Sequence, residues 1–262
     1  MAALKLRAKW PMHRIAIPLA LHGNRWLEGS ANQDLRKTGK RSREKMTRKF
    51  SFAYSFVLLL FMANASVAET LQVSYFSASS LEGWEEKKFK GLTSYQLSRI
   101  EGKQALLATS NDSASALFKK IHIDIRTYPF LNWSWRIENR LDTENESNKS
   151  GDDYAARIYV VLDGGIFLWR TRAVNYVWAN QASKGAIWEN AFAGKHAMMM
   201  ALRNRHDQLS TWYAEKRNVY EDLKRLFGTE FHFIDAIAIM TDTDNSHGQA
   251  KAFYGDIYFS KE

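Results

Sequence analysis

The chain has 262 residues, 37 Lys/Arg against 28 Asp/Glu, a net charge of +9 and no cysteine. Without cysteine, disulfides, thiol catalysis and cysteine-ligated clusters are excluded, so packing must hold the fold. The basic excess does not point to nucleic-acid binding, because it sits at the front: residues 1–68 hold 13 basic and 3 acidic residues, and the other 194 hold 24 and 25.

Residues 1–45 are basic and show no sustained periodicity. The segment 46–68 then has the order of a secretory signal. Arg48 and Lys49 are followed by the uncharged, mostly apolar run Phe50 to Met62 and by small residues, with Ser66 and Ala68 at −3 and −1 of an expected cut before Glu69. That apolar run is short of the about 20 residues a membrane span needs. A signal peptide should begin a chain, so we expect the true start to be Met46, with 1–45 an over-long gene call. A basic tail on a retained membrane anchor is the alternative. The expected organisation is an N-terminal extension (1–45), a signal peptide (46–68) and one domain (69–262), periplasmic or secreted, meeting the membrane only transiently.

From Glu69 onward short β-type runs dominate. Strands are expected at Leu71–Phe76, Ser94–Ile100, Ala105–Thr109, Ala114–Phe118, Phe130–Ile137, Ala155–Leu162, Ala173–Ala179, His196–Ala201, Thr211–Lys216, Phe231–Met240 and Ala252–Phe259. In Phe130–Ile137 the residues Leu131, Trp133, Trp135 and Ile137 alternate with Asn132, Ser134 and Arg136, as in a strand packed on one face. Asp163-Gly164-Gly165 reads as a hairpin turn. The stretch 142–151 has no apolar residue and reads as an exposed loop. One helix is expected after Asn218, an N-cap with Glu221 three residues on. Val219, Leu223, Leu226 and Phe227 share its face, and Gly228 ends it. Many short strands with one helix argue for an all-β, mostly antiparallel, two-layer β-sandwich of jelly-roll type, with a closed barrel as the alternative.

Three acidic clusters are candidate sites: Asp152-Asp153, just before a strand carrying Arg157; Asp242, Asp244 and Asn245, just after a strand; and Asp256. Asp242, Asp244 and Asn245 could offer oxygens to calcium, although the spacing is not that of an EF-hand. Asp152 or Asp153 with Asp242 or Asp244 could form the carboxylate pair of glycoside hydrolysis. Turn and capping chemistry is the competing use of all of them. Arg157 could pair with an Asp or with a ligand carboxylate. Of the aromatic residues, Tyr176, Trp178 and Trp188 are candidate sugar-stacking groups, Trp188 in a turn-like segment, against the default of a buried core. No Gly-x-Ser-x-Gly, phosphate loop or His-Glu-x-x-His occurs, and the histidines lack zinc spacing.

Several segments together resemble a bacterial family of exported proteins known as domain of unknown function 3047. They are Trp133-Ser134-Trp135-Arg136, the run from Gly151 to Val161, Asn175-Tyr176-Val177-Trp178, Met240 to Asn245, and Tyr254-Gly255-Asp256-Ile257. The likeness spans roughly Tyr75 to Phe259 and leaves out 1–45. It implies no activity and supplies no catalytic residues. The leading expectation is a β-sandwich that binds a glycan or another polar ligand of the cell envelope. A glycoside hydrolase or lyase, and an envelope scaffold, are the alternatives.

Overall fold

The computed structural model describes residues 69–143, 145–164 and 171–262. The expected leader and Gly165 of the Asp-Gly-Gly turn lie outside them. The strands are β1 (Thr70–Gln72), β2 (Glu85–Lys90), β3 (Ser94–Ile100), β4 (Lys103–Asn111), β5 (Ala114–Asp124), β6 (Phe130–Ile137), β7 (Arg157–Leu162), β8 (Arg172–Trp178), β9 (Ile187–Asn190), β10 (Gly194–Arg203), β11 (Tyr213–Asn218), β12 (Phe233–Met240), β13 (Gln249–Tyr254) and β14 (Tyr258–Ser260), with helix α1 at Val219–Phe227.

They form a two-layer β-sandwich of jelly-roll type. One sheet runs β1-β14-β6-β13-β4-β3, with β11 on the other side of β6. The second runs β2-β5-β12-β7-β8-β10-β9. All pairings are antiparallel except β8 with β10. Neither order returns on itself among the described strands, so the barrel alternative falls.

The sheets meet face to face through alternate residues. From β6, Leu131, Trp133, Trp135 and Ile137 point inward; from β8 come Val174, Tyr176 and Trp178; from β7 and β12 come Ile158, Val160, Ile237 and Ile239. Trp133 stacks on Tyr176 at 5.4 Å, and Trp135 lies 6.0 Å from Trp178. Three of these aromatics spend their polar tip on a fixed partner: Trp135 Nε1 donates to Glu215, Trp178 Nε1 to the Asn204 carbonyl and the Tyr176 hydroxyl to Asp222, whereas Trp133 Nε1 is buried without one. Tyr176 and Trp178 are therefore core, and neither offers a face to a sugar.

The helix forms as its caps require. Asn218 accepts from the Glu221 N–H at 3.1 Å, and Gly228, at φ +66°, closes the last turn. Val219 and Leu223 are buried and Leu226 and Phe227 half-buried.

Four expectations need correction. The run Ala252–Phe259 is two strands lying along one side of β6, parted at Gly255-Asp256-Ile257. Gly255 N donates to the Ser134 carbonyl, and a Cβ there would lie 2.3 Å from Ser134 Oγ, so the junction admits only glycine without displacement. Trp188 is in strand β9 at the edge of the second sheet and half-buried, not in a turn. The strand β2 was not expected from Glu-Glu-Lys-Lys-Phe-Lys. As an edge it needs main-chain bonds on one side only, and its charges face water. Strands β7 and β8 do pair, but the connection runs from 163 to 171, too long for a two-residue hairpin turn.

The loop 142–151 also departs from expectation. Most of it is exposed, but Glu146 is buried and accepts the N–H groups of Asn180, Gln181 and Ala182. Three successive backbone donors replace most of the hydration of this carboxylate, so a loop with no apolar residue is still anchored. Among the described residues no helix is long and apolar enough to cross a membrane.

Candidate functional site

The site is made by one register. β7 and β12 are antiparallel neighbours with Arg157 opposite Met240. The chain entering β7 and the chain leaving β12 therefore meet at the same end, and Asp152-Asp153 come beside Asp242–Asn245. Hydroxyls fix this end: Thr241 Oγ1 donates to the Ala155 carbonyl, Tyr254 reaches Thr241 and the Met240 carbonyl, and Thr243 Oγ1 lies 2.9 Å from Ser110 Oγ. Thr241, Thr243 and Tyr254 lie in segments that carry the family likeness, but the sequence assigned no role to them or to Ser110, because isolated hydroxyls carry no spacing signal.

Arg157 is at the centre and 1% exposed. Its Nη2 donates to Asp242 at 2.5 Å and its Nη1 lies 3.6 Å from Asp152. The rings of Tyr154 and Tyr159 flank the guanidinium at 4.8 and 5.0 Å. Burial by itself lowers the Arg157 pKa, but attraction, chiefly to Asp242, outweighs it and holds the group charged. Burial pushes the phenols of Tyr154 and Tyr159 well above their ordinary value.

The other expected residues divide clearly. Asp152 accepts from Asn190 Nδ2. Asp153 accepts from the N–H groups of Asn245 and Ser246 and from Asn245 Nδ2. Asp153, Asp242 and Asp244, all buried, each bring one carboxylate oxygen within 4.8 Å of the others, and these are the residues that could hold a hard cation. The expected ligand Asn245 is displaced from that set, since its amide is turned toward Asp153 and the Asp152 carbonyl. Asp256 does not join the cluster. It sits at the β13–β14 junction and accepts the N–H and hydroxyl of Ser77.

A cleft of about 20 Å³ opens beside Arg157, lined by Phe89, Asp152, Arg157, Tyr159, Asn190, Ala197 and Met240. Arg157 Nε is buried and has no hydrogen-bond partner.

This arrangement can be set beside known proteins. Residues 82–258 match the model of a family described as protein of unknown function DUF3047. The chain belongs to this family. Within it, the DUF3047 match covers every residue of the Arg157 network and stops short of the N-terminal 81 residues. No curated protein matches the chain. Among solved structures, the family 11 carbohydrate-binding module of the cellulase Lic26A-Cel5E from Clostridium thermocellum aligns over 74% of this chain and 96% of its own, at 9% identity and a TM-score of 0.43. The xyloglucanase domain of NopAA, a type three effector from Sinorhizobium fredii, aligns over 74% and 98% at 8% identity and a TM-score of 0.41. At such identities and TM-scores neither likeness bears on function.

Proposed function

We propose that this DUF3047 chain is an exported binding protein of the cell envelope whose ligand is hydroxyl-rich, a glycan, received at Arg157. The signal-like order of residues 46–68 supports export. The binding reading rests on one observation: the unpaired Nε of buried Arg157, a donor beside a cleft. A buried donor without an acceptor costs about 1–3 kcal/mol, and a ligand oxygen in the cleft would answer it. The volume admits one water or one hydroxyl-sized group, so a single sugar hydroxyl would seat there. Phe89 and Tyr159 supply apolar walls around the few polar groups, a composition common to small-ligand sites.

Hydrolysis fits less well. A two-carboxylate mechanism needs one carboxyl that gives and takes a proton. Here Asp242 and Asp152 share Arg157, and Asp153 is tied by two backbone N–H groups and an amide.

Calorimetry of the full chain against a panel of oligosaccharides tests the reading. Arg157→Lys keeps the cation for Asp242 and removes the Nε donor. Binding should fall about tenfold, near 1.4 kcal/mol, with the circular dichroism unchanged. A panel with no binder, or a ligand bound equally by Arg157→Lys, would sink it.

A further inference from the structure

A second cleft, of about 160 Å³, lies at the loop end of the sandwich, lined by Arg140, Leu141, Asp142, Asn180, Gln181 and Arg205. On a scale where about 10–15 Å³ holds one water, it has room for a group with several oxygen atoms. Arg140 follows β6 and Arg205 follows β10, so two loops from different sheets bring the two guanidinium groups to one opening.

Both arginines are exposed, and neither forms an ion pair among the described residues. Arg140 Nη2 donates to the Asp207 carbonyl and Arg205 Nη1 to Gln181 Oε1, both neutral acceptors. The Asp207 carboxylate beside them is already taken by Lys184 and Arg203. A guanidinium has five donors in a planar fork, so most of this donor capacity is uncommitted. The wall behind them is rigid. Asn180 N and Gln181 N are bound to buried Glu146, and Asn180 Nδ2 donates to the Asp153 carbonyl.

We infer that this cleft is a separate binding site for the carboxylate of an acidic sugar, a uronate. Arg140 and Arg205 take the carboxylate, for which their forks are matched. Asp142, on the same cleft, accepts a ring hydroxyl and disfavours a dianion such as phosphate, whose charge of about −1.5 to −2 would be repelled. The Arg157 cleft cannot do this work, since its guanidinium already serves two carboxylates.

The full chain is titrated calorimetrically with galacturonate, a monoanion, its neutral methyl ester and inorganic phosphate. The uronate should bind at least tenfold more tightly than the ester and than phosphate. Arg140→Gln and Arg205→Gln should each weaken it about tenfold and leave the circular dichroism unchanged, because both side chains are exposed. Arg205→Lys, which keeps the charge and loses the fork, should also weaken it. No uronate binding, equal binding of acid and ester, phosphate binding as tight as the uronate, or a double Gln variant that binds like the parent overturns the inference. Failure of the Arg157 reading is seen separately, in the neutral panel and in Arg157→Lys.

Discussion

The space between the sheets and the strand ends around Arg157 are equally buried but held by different physics. Between the sheets, Trp133, Trp135, Tyr176 and Trp178 bury large apolar surfaces, and the last three hold one polar partner each. Around Arg157 the buried groups are charged, and each depends on a neighbour from another strand or loop. A dispersive core degrades in proportion to the atoms removed. A buried ion network fails when one partner goes, because the survivor is left charged and dry.

Substitutions on the two sides should separate them. Asp242→Ala, which strips the main partner of Arg157, should destabilise by about 3–5 kcal/mol in chemical denaturation. Replacing both members, Arg157→Met with Asp242→Leu, should cost less than Asp242→Ala alone; a larger loss for the pair would mean that the ions themselves stabilise the fold. In the core, Trp135→Ala should also cost about 3–5 kcal/mol by cavity formation. Tyr176→Phe should cost only about 1 kcal/mol, since Asp222 keeps its bidentate Arg217. Outside both regions, Asn218→Ala removes the helix cap and should cost about 1 kcal/mol.

The smallest effect belongs to a surface pair. The hydrogen bonds from Arg126 hold the Asp124 carboxyl down at about 2. A lowered carboxyl contributes stability that is complete above its unfolded value near 3.9 and is lost as pH falls through about 2. Nuclear magnetic resonance titration of Asp124 should show that low midpoint, and Arg126→Ala should return it toward the ordinary value.

How legible all this was differs by element. Helix α1 could be read from end to end, because a cap, an apolar face and a terminal glycine are local chemistry. The bounds and core face of strand β6 were read from its alternation, which is intrinsic to a pleated chain, but the burial of Asn132 and Arg136 on the other face was not. Edge strand β2 was missed because its charges satisfy an edge, and being an edge is not written in six residues. The acidic clusters were visible as residue types, yet Asp152, Asp153, Asp242 and Asp244 converge while Asp256 does not, and both clefts were invisible.

Taken alone, the amino-acid order determined the β-rich class, the helix with its caps and the family likeness, because these follow from periodicities and contacts only a few residues long. The tertiary structure decided which carboxylates share Arg157, that Tyr176 and Trp178 are core, and that Arg140 and Arg205 face one opening. These depend on strand pairing across tens of residues, above all β7 with β12, and no local pattern encodes which strand becomes whose neighbour.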